Sequence, residues 1–339
     1  MQLTRRGRVA VALVVLAVVM GWLFGARSLN AIAAPLLGAL LVGAVVLARN
    51  DDPTVTLSAV EAGFPGDDRT LTAAFSGTGL ATVALALPAG VDGNTSGRRV
   101  TLPQTVDYEL ELTARGVHGI GPPEVTLRGP LGLLERTVDM AGTTDVTVYP
   151  QRYTVGDSAV LDRLFADELE AERQEFDRLR EYQPGDPLRR IHWKSSAKHD
   201  EFLVAEFAPT ERDETVTIVG TVPPGETDEM ARIAATIADS ALAADHSVEV
   251  ATPTGHVPPG KGETHRESVL GLLARTGHGT TAPVGSEAAD VEITYVQREL
   301  VVRVGATEYS VSAFLDHIDG TGGGSADDRE TATVAEVTA

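Results

Sequence analysis

Cysteine is absent from the 339 residues, which excludes a disulfide framework, thiolate metal sites and a cysteine nucleophile. Lysine is nearly absent: Lys194, Lys198 and Lys261 are the whole complement, and every other basic residue is arginine. Positive charge is scarce altogether, with 28 Lys and Arg against 48 Asp and Glu and a formal net charge of −20. General nucleic-acid binding needs a net basic face to neutralise phosphates, so this balance excludes that class. An acidic, lysine-poor surface suits a high-salt interior, because the screening length falls to about 3 Å at 1 M salt and self-repulsion fades. What is present is an ordinary globular composition, 43% hydrophobic and 22% charged, so the chain is neither wholly disordered nor collagen-like. Its length allows two modest domains of roughly 100–200 residues each.

The first fifty residues hold five arginines and no acids. Val9 to Ala26 carry no charge and would span about 27 Å as a helix, close to the roughly 30 Å of a hydrocarbon core. Ser28 to Ala48 form a second uncharged run that would reach about 31 Å. Only Ala26 to Asn30 separate the two, so they are expected to pair as an antiparallel transmembrane hairpin. A cleaved signal peptide is the competing reading, since Arg5, Arg6 and Arg8 precede the first run and Ala31-Ile-Ala33 resembles a cleavage site. Cleavage there would leave an apolar stub, Ala34 to Ala48, without a purpose. Arg5, Arg6, Arg8 and Arg49 flank the hairpin on its terminal side, against Arg27 in the turn. The positive-inside rule therefore predicts cytoplasmic termini and a multi-pass protein of the cell membrane. The sequon Asn94-Thr95-Ser96 matters only for the opposite orientation.

From 51 to 150, turn residues recur every 8–12 positions without a helical period, the pattern of an all-β module. The clearest strand is Thr105 to Thr113, where Val106, Tyr108, Leu110 and Leu112 alternate with Asp107, Glu109 and Glu111. Further strands are expected at Thr54–Ala59, Arg69–Phe75, Ala81–Leu87, Glu124–Arg128, Arg136–Met140 and Thr144–Tyr149. This count suggests an Ig-like β-sandwich acting as a scaffold or adhesion surface.

Ser158 to Arg180 is acidic with apolar residues at three- and four-residue steps, which predicts a helix ending near Tyr182, because Gln183 precedes Pro184. Asp186 is placed to cap a second helix with Pro187 at its first position, running to about Lys198, and a strand is expected at Phe202–Phe207. Arg180, Arg189, Arg190, Lys194 and Lys198 concentrate positive charge there, with His192 and His199. They either pair with the acids of the preceding helix (Asp167, Glu168, Glu170, Glu172, Glu175) or form a docking patch for an acidic partner. Tyr182 and Trp193 read as packing anchors. A zinc site from His192, His199 and Asp200 lacks the spacing of two ligands on one helical face.

The run Leu179-Arg-Glu-Tyr-Gln-Pro-Gly-Asp-Pro-Leu-Arg-Arg-Ile-His-Trp-Lys-Ser-Ser-Ala-Lys198 resembles the signature of the domain of unknown function 58 family. The match falls at Arg180, Glu181, Tyr182, Gly185, Asp186, Arg189, Ile191, His192, Trp193, Lys194 and Ala197, with Lys198 where Arg is usual. Upstream, Arg115-Gly-Val-His-Gly-Ile-Gly121, Gly129-Pro-Leu-Gly-Leu-Leu134 and Val148-Tyr-Pro150 resemble the same family. The resemblance implies a membrane-anchored accessory protein encoded beside a MoxR-type AAA+ ATPase, in systems that assemble or remodel other proteins. It also implies a von Willebrand factor A-like C-terminal region.

That C-terminal third reads as α/β. Strands are expected at Thr215–Val222, Ser247–Ala251, Val291–Val296 and Leu300–Val304, with helices at Asp228–Ala244 and Thr264–Thr276, giving a small open parallel sheet. A working von Willebrand factor A domain holds Mg²⁺ with Asp-x-Ser-x-Ser after its first strand. Here Gly220-Thr-Val-Pro-Pro224 stands in that place, so no metal is expected. Gly255-His-Val-Pro-Pro-Gly-Lys-Gly262 imitates a phosphate loop but has Gly262 after the lysine and two prolines lacking N–H donors, so it reads as a flexible loop.

The expected organisation is a transmembrane hairpin (1–50), a β-sandwich (51–150), an acidic helix plus signature turn-helix (151–207), an α/β von Willebrand factor A-like domain (208–319) and a disordered tail (320–339). The expected function is a non-catalytic, membrane-anchored scaffold without cofactor, docking a MoxR-type ATPase or client through the signature residues. Two alternatives stand beside it: a cell-envelope hydrolase using Glu181, Asp186 and His192, and an adhesin-like surface protein.

Overall fold

The computed structural model describes residues 1–25, 28, 30–155, 178–181, 203–206, 215–279, 282 and 289–318. Contacts divide the chain into two compact units, Met1–Tyr149 and Pro150–Ala339.

The first unit opens with a two-residue strand, β1 (Gln2–Leu3), then α1 (Arg5–Phe24) and α2 (Asn30–Arg49). Both helices are long and apolar enough to cross a bilayer, and they pack against each other. All-antiparallel strands follow: β2 (Val55–Leu57), β3 (Asp68–Leu85), β4 (Val91–Gly93), β5 (Arg98–Leu112), β6 (Gly116–Ile120), β7 (Pro123–Arg128), β8 (Leu134–Asp139) and β9 (Thr144–Val148). The main sheet runs β1-β8-β7-β3-β5-β4, with β2 paired to β3, while β6 and β9 form a separate ribbon. This strand-rich arrangement is compatible with an Ig-like module.

Two expected strands, Arg69–Phe75 and Ala81–Leu87, are one strand. β3 continues through a register slip between Phe75 and Gly79, where Gly77 and Gly79 take φ of +109° and +105°. Glycine tolerates those angles without a Cβ clash, so the chain bends there without breaking its ladder with β5. The core is built by alternation: Leu71, Ala73, Phe75, Val106, Tyr108, Leu110 and Leu112 point inward, and Leu47 of α2 joins the same cluster.

In the second unit, β10 (Arg178–Glu181) pairs antiparallel with β11 (Leu203–Glu206). The expected helix through Arg180 is therefore corrected at its end: residues 178–181 are strand, and the pairing with 203–206 overrides the helical propensity of Arg-Leu-Arg-Glu. Then come β12 (Thr215–Thr221), α3 (Thr227–Ala243), β13 (Ser247–Thr252), β14 (Gly255–Gly260), α4 (Glu263–Arg275), β15 (Val291–Val296), β16 (Glu299–Val304), β17 (Thr307–Ser310) and α5 (Val311–Ile318). The sheet order is β14-β13-β12-β15-β16-β17. It is mixed, a correction to the expected parallel sheet: β12 is parallel to β13 and β15, and the other pairs are antiparallel. The cause is connection length. The α3 crossover lets β13 run parallel to β12, whereas β13–β14, β15–β16 and β16–β17 are joined by turns that only reverse the chain.

Gly255–Gly260, expected as a flexible loop, is an edge strand. Pro258 and Pro259 fit there because an edge leaves N–H positions outside the ladder. Met230, Ile233, Ala234, Ile237 and Ala241 of α3 are buried, as their spacing predicts.

Candidate functional site

In the first unit, the helical hairpin is mounted on the β module without a linker. β1 pairs with β8 through Gln2–Glu135 and Leu3–Leu134. Thr4 is the N-cap of α1: its Oγ1 accepts from Gly7 N at 3.1 Å and donates to Gly132 O at 2.7 Å, and its backbone N–H donates to Leu133 O at 3.0 Å. A Cβ on Gly7 would collide with the Leu133 carbonyl, so only glycine lets α1 lie this close. At the exit of α2, Arg136 Nη2 donates to Asn50 O (3.3 Å) and Asp52 Oδ1 (2.7 Å), and Asn50 Nδ2 donates to Thr78 O (3.2 Å). Both module-side helix ends are thus fixed to β8 or its neighbours, which puts Arg5, Arg6, Arg8 and Arg49 at the β-module end of the hairpin. The opposite end carries Trp22, 84% exposed, and Phe24. Only 22% of the apolar window of α1 and 11% of that of α2 is buried, so neither is the core helix of a water-soluble fold.

The same unit holds a groove of about 920 Å³ on the outer face of β3 and β5, lined among others by Asp68, Thr70, Asp107, Glu109, Glu111 and Arg98. It is acidic because cross-strand pairing sets Asp68 opposite Glu111 and Thr70 opposite Glu109. Thr72 Oγ1 donates to Asp107 Oδ1 at 2.8 Å. Among the described residues, no group of three or more His, Asp or Glu side chains is arranged to hold a metal ion.

In the second unit, the segment entering at Pro150 is strapped onto α3. Arg152 and Arg266 converge on the two oxygens of Asp239, and Arg266 also bonds Glu263 at 2.8 Å. Tyr153 donates its hydroxyl to Glu229, receives the guanidinium of Arg232 over its ring at 3.9 Å, and donates its backbone N–H to Thr236 Oγ1 at 3.0 Å. Burial, reinforced by the Glu229 carboxylate, pushes the Tyr153 phenol up to about 12. The Asp239 hydrogen bond raises the Arg266 guanidinium further. This cluster fastens a connection, and its ion pairs are internally satisfied.

The carboxyl end of β12 is where a divalent ion would sit in a von Willebrand factor A domain, and the residues there do not fit one. Gly220 packs against Met230, Val222 is 1% exposed, and Gly279 N donates to Val222 O at 2.9 Å. No carboxylate or serine occupies Gly220-Thr-Val-Pro-Pro224.

Of the twelve signature residues, Arg180 and Glu181 fall on β10, backbone only. Tyr182, Gly185, Asp186, Arg189, Ile191, His192, Trp193, Lys194, Ala197 and Lys198 lie outside the described residues, as do most of the acidic helix and the tail from 319. The mount of the hairpin on β8 has no motif in the sequence that announces it. Its nearest sequence signal is the apolar, glycine-containing run Gly129–Leu134 opposite the glycines of α1 and α2.

Residues 178–331 match the family model described as protein of unknown function DUF58. Over this stretch the chain resembles the DUF58 family. An uncharacterized protein of Bacillus subtilis, YeaD, is 25% identical over 174 residues, covering 46% of this chain and 43% of YeaD. The chain thus spans less than half the length of that relative. Solved structures with some likeness include WR4, a C. elegans MSP family member, with a TM-score of 0.22, 6% identity, 28% of this chain and 97% of that one covered. The E. coli chaperone DraB has a TM-score of 0.21 and 14% identity, with 28% of this chain and 54% of that one covered. Likenesses this weak carry no argument about this chain.

Proposed function

We propose that this DUF58-like chain is a non-catalytic, membrane-anchored scaffold that works with a MoxR-type AAA+ ATPase in assembling or remodelling other proteins. The observation that carries the reading is the hairpin itself: two apolar helices, mostly unburied, whose module-side ends are hydrogen-bonded into a folded β module. Such surface exposed to water costs about 25 cal/mol per Å². A bilayer removes that cost and leaves the β module standing at its surface.

Orientation follows from arginine. Arg5, Arg6, Arg8 and Arg49 lie on the module side against Arg27 between the helices, which favours a cytoplasmic module. The partner reading rests on the DUF58 signature, with Arg180, Arg189, Arg190, Lys194 and Lys198 in an otherwise acidic chain. A von Willebrand factor A-like identity for the C-terminal sheet is supported only by its centre, where β12 lies between two parallel neighbours, β13 and β15, with α3 as the β12–β13 crossover; the three outer pairs are antiparallel. Gly220-Thr-Val-Pro-Pro224 carries no carboxylate or serine, which supports reading this region as a grip that needs no divalent cation there.

Alkaline extraction of native membranes tests the anchor. The full chain is expected to stay with the lipid pellet and, in sealed vesicles, to be digested only from the cytoplasmic face. Release into the supernatant would refute the anchoring.

A further inference from the structure

We infer that the β7–β8 tip, Gly129-Pro-Leu-Gly-Leu-Leu134, is a third membrane contact, seated at the boundary between lipid headgroups and acyl chains beside the hairpin. The inference rests on the membrane reading above and adds to it a contact made by the β module.

Depth is fixed by contacts with the helices. A Cβ on Gly129 would lie 3.5 Å from Leu47 Cδ1 and 3.7 Å from the Gly43 Cα, and one on Gly43 would lie 3.5 Å from Leu134 Cδ1. Gly43 is six residues before Arg49, so the tip reaches about 9 Å along α2 from the charged end of its apolar run. On the other side, Leu133 O sits against Gly7 at the foot of α1. The tip therefore occupies the level at which the hairpin passes from its arginine collar into its apolar length.

Its chemistry suits that level. Gly129–Leu134 carries no charge and no polar side chain, while Arg128 and Glu135, 3.9 Å apart, close it off at the strand ends. Leu131 is 60% exposed, and Leu3 and Met1 of the adjoining β1 segment are 39% and 58% exposed. In water this is an unpartnered apolar knuckle. Beside a spanning hairpin it is continuous with the lipid-facing surface.

Partial backbone pairing suits a seat at the headgroup boundary, where lipid headgroups and water meet the remaining polar groups, and not deeper. Irregular chain enters the apolar zone only if its N–H and C=O groups are satisfied. Gly129 N donates to Leu134 O (3.0 Å), Gly132 N donates to Gly129 O (2.8 Å), and Gly132 O and Leu133 O accept from Thr4. Pro130 has no N–H to satisfy.

The natural absence of cysteine allows a direct test with the full chain in phosphatidylcholine–phosphatidylglycerol vesicles. Single-cysteine variants L131C, V15C in α1, L41C in α2 and V117C on β6 are labelled with a small fluorophore and exposed to lipids carrying a nitroxide near the headgroup or deep in the acyl chain. V15C and L41C should respond to the deep quencher and V117C to neither. L131C should lose fluorescence by about twofold with the shallow quencher, as expected for burial at the headgroup boundary. Quenching of V15C and L41C with L131C as unresponsive as V117C would overturn the tip contact alone. No quenching at V15C or L41C would overturn the hairpin reading and the tip with it. An L131C label unresponsive to lipid but crosslinking between two copies would overturn the lipid contact in favour of self-association.

Discussion

Gly7 illustrates how a missing side chain determines a junction: with no Cβ, the first turn of α1 rests on the Leu133 carbonyl, and Thr4 completes the seat from both sides. Gly7→Val should therefore destabilise the first unit by about 1–3 kcal/mol through overpacking. Thr4→Ala should cost about 1 kcal/mol through loss of the cap, with Thr4→Ser close to neutral. Thermal unfolding of the full chain in one detergent, variant against parent, reads both. In the second unit the informative residue is Tyr153. Its phenol is held at about 12 by burial and by Glu229, against 10.0 in an unfolded chain. Above pH 10 the unfolded state releases this proton while the folded state keeps it, so the associated stability is complete below pH 10 and is lost as pH rises through about 12. Tyr153→Phe should flatten the denaturation midpoint across that window and remove one late-titrating tyrosinate absorbance. A phenol that titrates at 10.0 in the folded chain would contradict the strap geometry.

At the scale of elements, Asp239 is the point where Arg152 of the entering segment and Arg266 of α4 are tied to α3. Asp239→Asn should loosen both by about 1–2 kcal/mol and expose the 150–155 segment to protease before the rest of the second unit unfolds. The β15–β16 turn offers the opposite sign. Gln297 and Arg298 both have positive φ, 51° and 74°, the geometry of a type I′ hairpin in which Asn-Gly is favoured. The double change Gln297→Asn, Arg298→Gly should stabilise the unit by roughly 0.5–1 kcal/mol in urea denaturation. The same turn shows why part of the fold was not legible in sequence. Clean alternation made Thr105–Thr113 readable, and 3.6-residue spacing did the same for α3, because burial of one face dictates both patterns. Gln-Arg gives no turn signal, so the β15–β16 reversal, one of three antiparallel pairings that make the sheet mixed, is not legible there. β6 was hidden by two glycines and a histidine in Gly116–Ile120, and β14 by prolines that an edge position tolerates. Arg178–Glu181 has helix-forming side chains, and only pairing with Leu203–Glu206 makes it a strand.

For the whole molecule the governing quantities are charge and apolar surface. A net charge of −20 with almost no lysine predicts a thermal midpoint that rises as KCl goes from dilute buffer to about 1 M, where the screening length is about 3 Å. A midpoint that falls or stays level would remove the high-salt reading. Legibility at this scale was uneven too. The hairpin is evident from uninterrupted apolar length, whereas its fusion to β8 depends on contacts between residues distant in sequence, 84 apart for Asp52–Arg136 and 128 for Thr4–Gly132. The site expected at the signature rests on its residues alone: Arg189 and Lys194 stand in a basic segment of an acidic chain, and a partner that reads them must be acidic. Co-isolation from native membranes at high salt, comparing the parent chain with R189E/K194E at equal membrane abundance, tests this most directly. The account predicts that the MoxR-type ATPase or client recovered with the parent falls by about tenfold with the double variant. Equal recovery by both would contradict it.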